Sequence, residues 1–337
     1  MTSRENTDNL LRGRKAERVG LLDSPWQDTI AAWVEQGYPT RREYRDTGDL
    51  RWRRDDGRWV EAEADGEYEA PVPPWEHFGY DMAGVGPWFD LQPWRGYSEL
   101  VEETDEWEVK RNGSGAALKY WKHKSGTPEH IDFRMTTREI WERDYRPHLL
   151  TLDPERFKLK EQRRNWAAAA QANRWTFFGH MFIWEAMRQS MGDVTLYESL
   201  LLDPDWVRDY NQVYLNFFKM SFSYMFEQVG KPAGIWIYED MGYKNGLFAS
   251  PKVLGDLIFP YYKQLVAFFH SHDLPVVLHT CGSTAEAVPL VERECCVKEQ
   301  PIDLGPCQRR KTSIGPLGPG YRVGDPAGAS SVRYRLQ

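Results

Sequence analysis

Three short apolar runs in the second half of the chain, RWTFFGHMF, IWIYEDMG and PVVLHTCG, constrain the fold more than any other feature. Each is too short for a core helix, is rich in β-branched or aromatic residues, and gives way to polar residues or glycine, as buried strands do. Between them lie longer segments with helix start and stop signals. Asp203-Pro204 opens DWVRDYNQVYLNFFKMSFSYMFEQVG, which stops at Gly230, and Ser250-Pro251 opens a run that continues to about His272-Asp273. A parallel neighbour is reached only by a crossover, which a helix supplies, so strands alternating with helices predict a parallel α/β layer or barrel.

The remainder of the chain is read by the same signals. RENTDNLLRGRKAERVGLLDS predicts a helix capped near Thr2 or Ser3 and a first strand Val19–Leu22 ending at Asp23. WQDTIAAWVEQG predicts a helix stopping at Gly37. From Pro39 to about Pro74 the density of Arg, Asp, Glu and Gly predicts a surface excursion or short helix. From Trp88 to Phe133 polar and apolar residues alternate, and Asn112-Gly113 and Ser125-Gly126 sit where hairpin turns belong, so an antiparallel β insertion is expected within about 40–135. The stretch WEHFGYDMAGVGPWFDLQPW is a candidate lid or pocket wall. A helical region follows over Thr137–Ala172, broken at Asp153-Pro154, and the RWTFFGHMF strand is expected to give out at Gly179. Residues 292–337 show neither period and are crowded with Pro, Gly and Arg; they read as a disordered tail or as the product of a reading frame shifted near Val291. The expected organisation is one barrel domain over 1–291 and an irregular tail over 292–337.

Composition excludes several classes. A net charge of −7 and a pI near 5.7 argue against a nucleic-acid partner, which requires clustered Lys and Arg. No apolar run approaches the ~18 residues of a spanning helix, so no membrane partner is expected. All four cysteines (Cys281, Cys295, Cys296, Cys307) fall near the end of the chain, unlike a disulfide framework, and a reducing cytoplasm is the expected location.

In an α/β barrel the loops after the strands form the active face, so polar residues at strand ends are the candidates for chemistry. His279 and Cys281 are two apart on an extended chain and project to one side, where an imidazole and a thiolate can converge on zinc. The alternative is a polar strand end beside a small buried hydrophobe. Glu239 and Asp240 end the preceding strand; being adjacent they face opposite sides, so one is expected to point into the pocket as general acid, general base or substrate acceptor. Tyr243, Lys244 and Asn245 form a compact polar loop, and His180 and Asp23 end two further strands, all candidate substrate-binding residues for a small molecule.

These residues resemble the uroporphyrinogen decarboxylase superfamily, TIM-barrel proteins that include cobalamin-dependent methyltransferases. The resemblance lies in RENTDNLLRGRKAERVGL, in FFGHMFIWEAMRQSMG, and above all in YEDMGYKNGLFASPKVLGDLIFPYYKQLVAFFHSHDLPVVLHTCGS, and it covers about residues 3–290. It implies a (β/α)8 TIM barrel, here incomplete, with the β insertion and irregular tail added. HxCG resembles the start of the zinc motif of methylcobamide:thiol methyltransferases; His279 and Cys281 match its first two ligands, and the later cysteine has no match, since Cys295, Cys296 and Cys307 lie in the tail. The implied activity is zinc-dependent methyl transfer between a corrinoid, carried on a corrinoid protein, and a thiol or related acceptor. A uroporphyrinogen decarboxylase of porphyrin biosynthesis is the alternative, with Arg174, Arg188 and Lys244 as the basic candidates; LLDSPWQDT lacks the arginines that the decarboxylases carry after their first strand. A third alternative is an inactive, truncated remnant.

Overall fold

The structure, a computed structural model, describes residues 1–45, 52–53, 59–60, 66–86, 89–122, 126–294, 302–304 and 332–333. Its centre is a parallel sheet of five strands: β1 (Met82–Gly84), β2 (Trp175–Met181), β3 (Gly234–Tyr238), β4 (Val276–Thr280) and β5 (Ile302–Leu304), adjacent in that order. Every pairing in it is parallel, and the register places Met181 beside Tyr238 and Tyr238 beside His279. The molecule is thus mixed α/β with a parallel sheet.

Both faces of the sheet are covered, which is why its strands read as continuous apolar runs. Phe178, Ile235, Ile237, Val276 and Leu278 pack into the main core with helices α1 (Ile183–Leu202), α2 (Pro204–Gln228) and, after a short helix α3 (Pro251–Leu257), α4 (Phe259–Ser271). Phe177, Trp236, Val277 and Met82 face the other way and meet Leu11 of the N-terminal helix Ser3–Leu11. That helix carries a reciprocal cap: Thr2 Oγ1 accepts from the Glu5 N–H at 3.2 Å, and Glu5 accepts from the Thr2 N–H at 2.9 Å.

Several expectations hold. The insertion is a four-stranded antiparallel sheet, ordered Glu129–Phe133, Ala116–Trp121, Trp107–Asn112, Ser98–Glu103. Asn112 makes the predicted turn, its side chain accepting from the Ser114 N–H at 2.9 Å. The turn expected at Ser125 lies outside the described residues.

Others are corrected. β2 does not stop at Gly179 but runs to Met181; a Cβ on Gly179 would lie 2.9 Å from the Tyr238 ring, so this glycine serves a close approach inside the sheet. Only Leu21–Leu22 of the expected first strand is extended, and it pairs antiparallel with Val332–Arg333. The sheet edge is instead Met82–Gly84, from the stretch expected to be a lid. Of the stretch after Pro39, read as a surface excursion or short helix, the described residues Thr40–Arg45 are extended and pair antiparallel with Gly66–Pro71. The region 137–172 holds one-turn pieces before a single longer helix, Leu159–Gln171. The helix opened by Ser250 breaks at Ile258, because Pro260 has no N–H to donate and restarts the helix within its first turn. β5 comes from the tail, so strands continue past PVVLHTCG. Among the described residues β1 and β5 are the open edges of the sheet, and no pairing closes it. No described helix is long and apolar enough to cross a membrane.

Candidate metal centre

The strand ends of β3 and β4 lie side by side. Past Tyr238 the two carboxylates diverge, as alternation on an extended chain requires. Glu239 turns inward and is fully buried; its side chain accepts from the N–H groups of Phe182 and Glu185, the latter at 3.2 Å, and from the Tyr262 hydroxyl. Burial, reinforced by the nearby Glu185 charge, pushes the Glu239 carboxyl well above its ordinary range.

Asp240 turns the other way. Its Oδ1 accepts from the Cys281 N–H at 2.9 Å, and its carbonyl oxygen accepts from the Trp184 indole N–H at 2.9 Å. Cys281 Sγ lies 3.4 Å from His279 Nε2. One ligand atom from each of Asp240, His279 and Cys281 lies within 4.8 Å of the others. Zinc–nitrogen and zinc–sulfur bonds at a tetrahedral angle set the two ligand atoms about 3.6 Å apart, so the imidazole and thiol already stand at metal-binding separation. One nitrogen, one sulfur and one carboxylate oxygen suit zinc and leave a fourth position for another group. Cys281 is exposed, while His279 and Asp240 are half-buried, so the cluster faces outward.

Tyr243, Lys244 and Asn245 form the exposed tip of a small hairpin, Gly242–Tyr243 with Gly246–Leu247, that rises directly after Asp240. The structure thus brings Asp240, His279 and Cys281 together, with the 243–245 tip beside them in the chain. It does not bring in Glu239, His180 or Asp23. His180, expected at the mouth, is in register with Ile237 on the helix-facing side and is only 7% exposed. Its ring stacks on Phe89 at 4.4 Å, Nδ1 lies 2.8 Å from the Met181 carbonyl oxygen, and burial lowers its pKa. Asp23 sits near Tyr80, whose phenol is pushed up to about 12 by burial and by the Asp23 charge. The neighbouring Asp81 carbonyl accepts from the Trp175 N–H, which places Asp23 at the opposite end of β2 from the cluster.

Sequence reasoning placed Asp240 at the substrate and looked for the third ligand among the later cysteines. It also missed Trp184, whose indole N–H holds the Asp240 carbonyl oxygen, and Tyr262, whose hydroxyl holds the Glu239 carboxylate from helix α4.

No family model matches the chain, and no curated protein matches it. Among solved structures, a methyltransferase from Methanosarcina mazei is similar, with a TM-score of 0.48 and 11% identity over 86% of this chain and 72% of that one. A likeness that distant assigns no activity.

Proposed function

We propose that the chain is a zinc-dependent methyltransferase of the uroporphyrinogen decarboxylase superfamily, a cytoplasmic TIM-barrel protein that moves a methyl group between a corrinoid and a thiol or related acceptor. The observation that carries this is the convergence of Asp240, His279 and Cys281 on the ends of two neighbouring parallel strands. Zinc held there supplies Lewis-acid stabilisation of an acceptor thiolate at neutral pH. His279 contributes a neutral imidazole, and Asp240 with the Cys281 thiolate contributes two negative charges, which match a divalent cation. The exposed side of Cys281 leaves room for the acceptor. Tyr243, Lys244 and Asn245 contact the substrate from the hairpin tip, and Lys244 attracts an anionic substituent. The methyl donor is a corrinoid borne on a partner protein.

The decarboxylase alternative requires basic side chains gathered at one mouth. Arg174 instead donates to the Tyr80 carbonyl at 2.5 Å, away from β3 and β4, and Arg188 is held by Glu185 at 2.8 Å and Asp193 at 2.9 Å. Metal analysis of the purified full chain tests the proposal. One zinc per chain is expected, lost in Cys281→Ser and in His279→Ala and weakened in Asp240→Asn, together with methyl transfer from methylcobalamin to a thiol. Metal-free protein that transfers methyl groups at the same rate would sink it.

A further inference from the structure

We infer that Gly242 and Gly282 are positioning residues for the metal ligands: their backbones cross where no Cβ fits, and this crossing sets Asp240 against His279 and Cys281 before any ion binds. The inference rests on the metal reading above. A Cβ on Gly282 would lie 2.3 Å from the Gly242 carbonyl carbon and 2.4 Å from its oxygen. A Cβ on Gly242 would lie 2.6 Å from Thr284 Cγ2 and 3.1 Å from the Cys281 carbonyl oxygen. Gly282 also adopts φ +81°, a left-handed conformation that side chains disfavour.

Hydrogen bonds close over the crossing from both loops. The Met241 N–H donates to Thr280 Oγ1 at 3.1 Å, the Cys281 N–H to Asp240 Oδ1 at 2.9 Å, and the Ser283 N–H to the Tyr243 carbonyl at 2.8 Å. The strand pairing between β3 and β4 ends at Tyr238 and His279; beyond it the Glu239 N–H donates to the His279 carbonyl at 2.9 Å, and that bond, the three above and the glycine contact hold the loops in register. Prising the loops apart to admit a methyl group moves Asp240 off the Cys281 N–H and out of the ligand set. Gly246, on the same hairpin, is a matched control: a Cβ there meets nothing closer than a Tyr243 ring carbon at 3.9 Å.

The test is titration of the full chain with Co²⁺ alone, reading the thiolate charge-transfer and d–d bands that report ligand geometry. Wild type and Gly246→Ala are expected to bind alike. Gly282→Ala and Gly242→Ala are expected to bind about tenfold more weakly or worse, as losses of ligand orientation do, with altered d–d bands, when titrated at a temperature at which circular dichroism shows the metal-free variants still folded. Adding Thr284→Ser to Gly242→Ala removes Cγ2 and should recover most of the affinity. Equal binding by wild type and Gly282→Ala overturns the inference; should Gly282→Ala fail to fold, the Gly242→Ala and Thr284→Ser pair decides, and absence of rescue counts against it. If wild type takes up no cobalt, the metal reading fails by itself. The crossing is then judged by Cys281 alkylation, followed by peptide mass spectrometry: a several-fold change in rate in Gly282→Ala but not in Gly246→Ala supports it, and unchanged rates overturn it.

Discussion

Glu239 and Asp240 are neighbours in sequence with opposite environments. Glu239 faces the helix side and answers three donors, two of them backbone N–H groups at the start of α1. Glu239→Ala leaves those donors buried without an acceptor and is expected to cost roughly 2–5 kcal/mol of stability, whereas Glu239→Gln keeps one acceptor oxygen and costs less. Urea unfolding of both variants checks the ranking; equal stability of Ala and Gln would contradict the hydrogen-bonding role. His180 makes a second case. Its proton is disfavoured by burial, so below about pH 6.5 the unfolded chain takes up a proton that the folded one refuses. Stability is therefore full above that pH and falls as pH drops, by at most about 1.4 kcal/mol per pH unit for each such histidine. His130, His270 and His272, also lowered by burial, act in the same direction. His180→Phe should shrink the loss of stability between neutral and mildly acid pH without abolishing it. An unchanged loss would mean that His180 titrates freely.

Local chemistry made the element ends readable and left their partners hidden. Thr2 and Glu5, Asp203-Pro204 and Ser250-Pro251 open helices because a side-chain oxygen meets a backbone N–H within a few residues. A different case is the break at Gly192, where the chain adopts φ +73° between two helical stretches of α1. Its cause is tertiary: a Cβ on Gly192 would lie 2.4 Å from the Phe133 ring of the antiparallel insertion. Gly192→Ala is expected to destabilise by about 2–4 kcal/mol, combining left-handed strain with the clash. Phe133→Ala in the same chain should return part of it; strictly additive losses in thermal unfolding would show that the two do not meet. Gly179 looked like a strand end because its reason, Tyr238 on the next strand, lies far along the sequence. Met82–Gly84 stayed hidden for a different reason: three residues are too few to show a period. Of the Asp240, His279 and Cys281 cluster, spacing made readable that His279 and Cys281 project to one side, and the resemblance, not the spacing, favoured a metal pair over a polar strand end beside a buried cysteine. Asp240 was not readable as its third member, since that depends on pairing with a strand end 41 positions away.

Across the sheet, protection should follow position. β3 is hydrogen-bonded on both sides, whereas among the described residues β1 and β5 have a ladder on one side only. Hydrogen exchange is expected to be slowest in Gly234–Tyr238 and faster in Met82–Gly84 and Ile302–Leu304; uniform protection would contradict the strand order. The two strands that lead to Asp240, His279 and Cys281 are therefore interior strands of the sheet, paired on both sides. Spatial order and chain order coincide in this sheet, from Met82–Gly84 through Ile302–Leu304. As the chain leaves the ribosome, each new strand can dock on the edge left by the one before, with no earlier strand waiting for a later one to slip between. Asp240, His279 and Cys281 all follow Gly234–Tyr238 in the chain, so the cluster comes together only on strands already paired in that order.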